Sequence, residues 1–216
     1  MSAAAELRSR LASMPIVAIL RGVRPDEVVA VATAVREAGV EIIEVPLNSP
    51  DPLVSIRLLV DTLGDDTLIG AGTVLSSSAV RGVAAAGGRL IVAPDTCVPV
   101  IREAKEAGLA CAPGFLTPTE AFAAARAGAD ALKLFPARAI EPATLRAFGA
   151  VLPDLPVLAV GGVGPRDLAV WWEHGARGFG LGGSLYRAGD SPQVVAQKAR
   201  AAVASARELA RRGGAP

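Results

Sequence analysis

The sequence predicts a (β/α)8 TIM barrel, because a unit of about 20–25 residues, the length of one β/α pair, recurs along it. Each unit consists of an Ala-, Arg- and Glu-rich helical stretch, small residues that end the helix, and a short β-branched run. Eight such runs are continuous and apolar, as expected of strands that are covered on both faces. Eight strands, each followed by a helix, favour a closed barrel over an open sheet.

The repeat is clearest at five junctions where a glycine ends a helix and a strand follows directly. Glycine suits this position because it adopts the left-handed conformation freely. The five are Gly39, Gly87, Gly108, Gly128 and Gly175. Further units at 64–73 and 153–162, with the opening run at 15–20, complete the eight strands. We expect a short helix over residues 2–12 ahead of the first strand, and one domain over residues 1–216.

The composition argues against functions that depend on a large net charge. Lys and Arg number 22 and Asp and Glu 21, so the formal net charge is +1, which disfavours binding to nucleic acid or a membrane surface. The two cysteines, Cys97 and Cys111, are too few for a disulfide framework. The N-terminus lacks the apolar core of a signal peptide, and no apolar run is long enough to span a bilayer. We therefore expect a soluble, cytoplasmic protein.

Four polar side chains follow predicted strands, where the functional residues of such barrels lie. Arg21, Glu44, Thr73 and Lys133 each stand at the C-terminal end of a strand, so we expect them to meet at one mouth of the barrel. No histidine or cysteine joins them in a metal-ligand spacing, and no metal site is predicted.

Lys133 is the most informative of these residues, because an ammonium inside the apolar strand ALKLFP would be strongly disfavoured. Only Lys105, Lys133 and Lys198 among the 22 cationic residues are lysines, which indicates that an amine is needed where lysine is kept. Burial lowers a lysine pKa and frees the amine for attack on a carbonyl. Alternatively, Lys133 forms an ion pair with a buried carboxylate, or packs its stem and extends its amine to solvent.

Glu44, in the strand EIIEVP, is predicted to act as a general base, either directly or through a bound water. It is also compatible with a role as the ion-pair partner of Lys133, and one carboxylate can serve in both roles. Glu41 is expected nearer the start of the strand, away from the mouth.

Glycine pairs follow the last two predicted strands, Gly161–Gly162 in AVGGV and Gly182–Gly183 in GLGGSLY. Backbone N–H groups in such turns approach an anion closely, and each pair is expected to precede a helix N-terminus, the first of them near Pro165. Phosphate sites of barrels recur after the seventh and eighth strands, so we predict one here, with Ser184 beside it. The alternative is two tight turns without a ligand.

Taken together, EVPLNSP, GAGTVL, ALKLFPA, AVGGV and GLGGSLY resemble motifs of the 2-keto-3-deoxy-6-phospho-sugar-acid aldolases, class I enzymes built on a small barrel. The resemblance implies that Lys133 is the Schiff-base lysine and Glu44 the general acid/base. It implies that Arg21 and Thr73 surround a pyruvate carboxylate. It also implies a homotrimer and a reaction without metal or organic cofactor. The residues that resemble the phosphate cradle of the family are Gly161, Gly162, Gly183 and Ser184.

Two types within this family differ at particular positions. The phosphogluconate-cleaving type has arginine where this chain has Asn48 and threonine where it has Val160, so the chain is more similar to the phosphogalactonate-cleaving type. That similarity implies cleavage of 2-dehydro-3-deoxy-6-phosphogalactonate to pyruvate and glyceraldehyde 3-phosphate. The chain departs from this type at Gly183–Ser184, where a serine followed by an acidic residue is usual, which leaves the phosphate contacts open.

Three other functions are compatible with the same residues. The phosphogluconate epimer is an alternative main substrate within the family. A different phosphate-binding barrel, such as an isomerase or synthase, would use Glu44 and Lys133 without a covalent step. A catalytically silent barrel would bind a sugar phosphate as a regulator or assembly partner.

Overall fold

A computed structural model of the chain describes residues 1–212, and the side chains of residues 1–209. Its centre is a ring of parallel strand segments in the order β5-β4-β3-β2-β1-β9-β8-β7-β6. The segments are β1 Ile16–Ile19, β2 Ile42–Pro46, β3 Leu68–Gly72, β4 Leu90–Val92, β5 Ala110–Ala112, β6 Gly114–Phe115, β7 Leu132–Leu134, β8 Val157–Val160 and β9 Gly178–Leu181. The ring closes because β9 pairs with β1, with Val17 opposite Gly180. The predicted (β/α)8 TIM barrel is confirmed.

The nine segments occupy eight positions around the barrel, because β5 and β6 are two parts of one barrel strand. Pro113 separates them, and a proline cannot donate a ladder hydrogen bond. The Pro113 carbonyl still accepts from the Lys133 backbone N–H at 2.8 Å, so this strand stays attached to β7. The seventh and eighth barrel strands are therefore β8 and β9.

Helices alternate with the strands and cover the outside of the barrel. They are α1 Ala3–Ser13, α2 Pro25–Glu37, α3 Pro52–Leu63, α4 Ser77–Ala85, α5 Val98–Glu106, α6 Pro118–Ala127, α7 Pro142–Gly149, α8 Leu168–Glu173 and α9 Pro192–Arg212. Proline occupies the first turn of α2, α3, α5, α6 and α7, where its missing N–H costs no helix hydrogen bond. The five glycines predicted to follow helices all have positive φ, between 74° and 108°.

The predicted N-terminal helix is α1, and Ser2 caps it by accepting a hydrogen bond from the Ala5 N–H. Its apolar residues Leu7 and Leu11 belong to the cluster inside the barrel. Leu11 reaches the first residue of β9, where a β-carbon built on Gly178 would lie 3.0 Å from its Cδ2. Helix α1 thus covers the N-terminal end of the strands, and their C-terminal ends form the mouth.

Side chains that point into the barrel alternate with side chains that face the helices. Ile42 on β2 and Ala131 beside β7 belong to the interior cluster, whereas Ile43 packs in the cluster under the helices. Since successive residues of a strand point to opposite faces, Glu44 and Lys133 also point into the interior. The strands are buried on both faces, as their continuous apolar runs predict.

Residues 213–216 lie outside the described part of the chain, so one domain over residues 1–216 stays a prediction. Among residues 1–212, no helix has both the length and the hydropathy needed to cross a membrane. Cys97 and Cys111 are both free thiols.

Candidate active site

Lys133 extends from β7 into the barrel interior and is 4% exposed. Burial lowers the pKa of its amine, an effect that the charge of Glu44 opposes and that of Arg21 reinforces. The amine lies 4.7 Å from the centre of the Phe135 ring. The other two lysines of the chain are both in ion pairs, with Asp130 and Asp190. Within the described side chains Lys133 has no such partner, so the ion-pair alternative for this residue is not observed.

Glu44 is 1% exposed and points from β2 into the same interior. Its Oε2 atom accepts no hydrogen bond from any described residue. Burial raises the pKa of its carboxyl to about 7, although the charges of Lys133 and Arg21 act in the opposite direction. A carboxyl that titrates near neutral pH can take up a proton in one step of a reaction and return it in another.

Gly72 provides the space for the Glu44 side chain. A β-carbon built on Gly72 would overlap the carboxylate of Glu44. Gly70, the preceding interior position of β3, is equally closed to a side chain, since a β-carbon there would lie 2.5 Å from Leu90 Cβ. Gly72 cannot be recognised as a site residue from the sequence alone, because a glycine here is informative only once the neighbouring strand is known to carry a buried acid.

Arg21 follows β1 at the mouth, and its guanidinium is oriented by Asn48 in the loop after β2. Arg21 Nη1 donates to Asn48 Oδ1 at 2.7 Å. No described residue accepts from the remaining N–H groups of the guanidinium, and arginine binds a carboxylate through paired hydrogen bonds. In the sequence Asn48 marks only a difference between two enzyme types, since its contact with Arg21 joins residues 27 positions apart.

Thr73, at the end of β3, has an unusual backbone conformation with a φ of 56°. The left-handed region costs a non-glycine residue about 1–2 kcal/mol, and β-branched residues are rare there. Such strained residues cluster at functional sites, where the surrounding structure holds them. The half-buried Thr73 directly follows β3, at the mouth, as the sequence predicts.

Gly161 and Gly162 end β8, and both have positive φ, at 93° and 82°. The segment after β7 packs tightly against them. A β-carbon built on Gly161 would lie 3.0 Å from Phe135 Cδ2, and one on Gly162 would lie 2.7 Å from Arg138 Cδ. Replacement of either glycine would strain the backbone or displace these neighbours. Because glycine has no side chain, no side chain of Gly161 or Gly162 covers the backbone of this turn.

Gly183 and Ser184 follow β9 and lie beside the turn that contains the first glycine pair. Ser184 Oγ donates to the Val163 carbonyl at 3.4 Å. The Gly183 carbonyl accepts from Arg187 Nε at 3.2 Å. The structure therefore brings the two predicted glycine turns together at the mouth of the barrel.

The helix after the first glycine pair begins later than the sequence predicts. Helix α8 starts at Leu168, not near Pro165. Asp167 Oδ2 accepts from the Gly164 N–H at 2.8 Å and stabilises a turn between the glycine pair and the helix. The helix N-terminus is thus three residues further along the chain than expected.

After the second glycine pair the expected helix is absent, since α9 begins only at Pro192. A single helical turn stands in its place, in which the Tyr186 N–H donates to the Gly182 carbonyl at 2.9 Å. The prediction that both pairs directly precede a helix is therefore wrong. An anion here would meet individual backbone N–H groups, with little contribution from helix dipoles, which act only over the first turn.

The mouth carries cationic groups and no cluster of metal ligands. Among residues 1–209, no three His, Cys, Asp or Glu side chains lie close enough to hold a metal ion. The cationic residues here are Lys133 on β7 and three arginines that follow strands, Arg21, Arg138 and Arg187. This arrangement suits an anionic molecule with a carbonyl group.

The family model of KDPG and KHG aldolase matches residues 7–197 of the chain. The chain belongs to the KDPG and KHG aldolase family. Members of this family are class I aldolases, so the protein is an enzyme, a carbon–carbon lyase. The buried lysine and the buried acid that the barrel brings together are the kinds of group that such chemistry requires.

Individual relatives agree with this membership. The chain is 50% identical over 196 residues to the 2-dehydro-3-deoxy-6-phosphogalactonate aldolase of Escherichia coli (strain K12), which covers 90% of this chain and 96% of that protein. A solved native KDPGal structure superposes with a TM-score of 0.90 at 49% identity, over 92% of this chain and 97% of that one. A cube-shaped protein cage designed by fusing symmetric oligomeric domains matches with a TM-score of 0.91 at 49% identity, over 92% and 74%.

Proposed function

We propose that this aldolase cleaves 2-dehydro-3-deoxy-6-phospho-D-galactonate to pyruvate and D-glyceraldehyde 3-phosphate through a Schiff base on Lys133. The observation that carries the proposal is one interior space that holds two groups. The buried Lys133 amine has no ion-pair partner among the described side chains, and Oε2 of Glu44 accepts no hydrogen bond from any described residue. A lysine whose pKa is lowered by burial is more often neutral, and only the neutral amine attacks a carbonyl. The Escherichia coli relative carries the name of this activity.

The first half of the reaction breaks the carbon–carbon bond. Lys133 Nζ adds to the C2 ketone, and loss of water from the carbinolamine leaves a protonated imine. Glu44 takes the proton of the C4 hydroxyl, directly or through a water. The C3–C4 bond then breaks, its electron pair moves toward the imine nitrogen to form an enamine, and glyceraldehyde 3-phosphate leaves.

The second half returns the proton. Glu44 protonates C3 of the enamine, and water hydrolyses the resulting imine to release pyruvate and the free amine. A carboxyl with a pKa raised to about 7 suits both transfers, because it must be a base in one and an acid in the other. The imine serves as the electron sink, so these steps call on no metal or organic cofactor.

The two charged ends of the substrate are assigned to the two sides of the mouth. In this proposal Arg21 and Thr73 bind the carboxylate. The phosphate binds to the glycine turns, at Gly161, Gly162, Gly183 and Ser184. The positive φ of the first pair and the hydrogen bond between the two turns support the phosphate assignment.

Val160 supports the galactonate epimer as the main substrate. It is 5% exposed and belongs to the interior cluster at the mouth end of β8. A threonine at this position would add a hydroxyl that can hydrogen-bond a carbinol group of the substrate. Enzymes discriminate strongly through hydrogen bonds that one substrate satisfies and another leaves unpaired. Val160 cannot form this hydrogen bond, so the site lacks a contact that would favour the gluconate epimer.

Reduction by borohydride in the presence of pyruvate tests the covalent step. We expect permanent attachment of the pyruvate carbon skeleton to Lys133, located by mass spectrometry of its peptide. A protein that cleaves substrate without this label would use a non-covalent mechanism. A labelled protein that cleaves the phosphogluconate epimer faster would have the other main substrate. A labelled lysine elsewhere in the chain would refute the assignment of Lys133.

We also propose that the enzyme acts in the cytoplasm as a homotrimer. Leu53, Val54 and Leu75 expose 40%, 52% and 57% of their surface. Leu53 lies beside Gly82 of α4, the helix that begins two residues after Leu75. Contiguous exposed apolar surface marks protein interfaces, and the designed cage is built from symmetric oligomeric domains. Sedimentation should give three times the 21.9 kDa of one chain, and Leu75→Glu should lower that mass. A single-chain mass for the wild-type protein would contradict the trimer.

A further inference from the structure

Arg138 lies beside the glycine pair that ends β8. It is the middle residue of a short 3-10 helix, Ala137–Ala139, after β7. Its backbone N–H donates to the Gly161 carbonyl at 3.1 Å. Its stem covers Gly162, since a β-carbon built there would lie 2.7 Å from Arg138 Cδ and 2.8 Å from Arg138 Cβ. The Arg138 stem therefore lies against the first glycine turn, and the guanidinium, which begins one bond beyond Cδ, lies near that turn.

The Arg138 guanidinium is exposed and has no partner among the side chains of residues 1–209. Two other arginines at the mouth each have one donor in use, because Arg21 donates to Asn48 and Arg187 donates to the Gly183 carbonyl. A guanidinium carries five N–H donors in a planar fork whose geometry matches a phosphate group. At Arg138 this whole fork is available to an anion beside Gly162.

The glycine turns themselves supply few side-chain donors. Gly161, Gly162 and Gly183 have no side chain, and the hydroxyl of Ser184 donates to the Val163 carbonyl. A phosphate at this point would therefore meet backbone N–H groups and, from one side, the free fork of Arg138. Hydrogen bonds between ionised partners are roughly twice as strong as those between neutral ones.

We propose that Arg138 binds the phosphate of the substrate and thereby selects phosphorylated over unphosphorylated sugar acids. This inference rests on the proposed aldolase function and adds a residue that the family resemblance does not assign. The phosphate keeps its charge throughout the reaction, so the contact is equally strong in the ground state and the transition state. Such a contact acts on KM and leaves kcat nearly unchanged.

Substitution of Arg138 by Met and by Lys tests the proposal. Arg138→Met keeps an unbranched stem over Gly162 and removes every donor, whereas Arg138→Lys keeps the charge and loses the fork. We expect the Met variant to raise KM for the phosphorylated substrate by about 10- to 100-fold, and the Lys variant to raise it less. Inhibition by inorganic phosphate should weaken by a similar factor. Arg102→Met, an exposed control on the outer helix α5, should change neither quantity.

Labelling of Lys133 by pyruvate and borohydride separates the two possible failures. If the wild-type protein is not labelled, the proposed function is wrong and the inference about Arg138 falls with it. If wild type and Arg138→Met are labelled alike, and KM and phosphate inhibition are also unchanged, Arg138 does not bind phosphate and the aldolase mechanism stands. A Met variant that loses labelling and substrate binding to the same extent has a damaged mouth, which also overturns a specific phosphate contact.

Discussion

The carboxylate of Glu44 occupies the space that a side chain at Gly72 would require. In the register of the two strands Glu44 lies opposite Gly70, and Pro46 opposite Gly72, so the Glu44 side chain leans toward the mouth across β3. The buried acid on β2 thus depends on the absence of a side chain at Gly72 on the adjacent strand β3. In this space the Glu44 Oε2 accepts no hydrogen bond from any described residue.

Gly72→Ala should therefore displace the Glu44 carboxylate and lower cleavage by about 10²-fold or more, because general-base catalysis depends on the position of the base. Steady-state kinetics on the folded variant measure the loss. Gly149→Ala is a matched control, since a β-carbon built on Gly149 meets nothing within 4 Å. Equal activities of the two variants would mean that the position of Glu44 is unimportant for catalysis.

Lys133→Arg should fold and lose cleavage altogether, because a guanidinium stays protonated and cannot add to a carbonyl. Circular dichroism would establish the fold, and a coupled assay for pyruvate the activity. Turnover at near the wild-type rate in the Arg variant would disprove the Schiff-base assignment.

Glu44→Gln keeps the shape of the side chain and removes the base, so proton transfer should slow by about 10²–10⁴-fold. Exchange of the pyruvate methyl protons with deuterated water, followed by NMR, isolates this step from bond cleavage. Imine formation should persist in part, which borohydride labelling would detect. An unchanged exchange rate would argue against a base at this position.

The stability of the same variant should depend on pH in a defined direction. The folded-state pKa of Glu44 is raised from 4.5 to about 7, so the folded protein holds this proton more tightly than the unfolded chain does. This contribution to stability is complete below pH 4.5 and is lost as the pH rises through 7. The melting temperature of Glu44→Gln relative to wild type should therefore increase between pH 5 and pH 8. A difference that is constant across this range would contradict the raised pKa.

Gly162→Val should weaken binding of the phosphorylated substrate far more than imine formation with pyruvate, which carries no phosphate. The new side chain would displace the Arg138 stem and crowd the turn. Gly175→Val is the control for backbone strain, since Gly175 also has positive φ, at 106°, but lies at a helix end with open space around it. Melting curves would confirm that both variants fold. Similar losses for pyruvate and phosphorylated substrate would place the phosphate elsewhere.

The sequence alone determines the barrel and the candidates at its mouth, because the signals for both are local. Apolar runs with a glycine at the preceding helix end recur once per unit, and the residue after each run is necessarily at the C-terminal end of a strand. This information is enough to single out Lys133, Glu44, Arg21 and Thr73. It is also enough to associate the two glycine pairs, since they follow the last two strands of a closed ring.

Only the tertiary structure decides which of these residues share a space and what surrounds them. Three relationships link residues from different barrel strands. The Glu44 carboxylate fills the space beside Gly72, Arg21 donates to Asn48, and the Arg138 stem lies over Gly162. The lateral register between strands sets these contacts, and no local pattern encodes it.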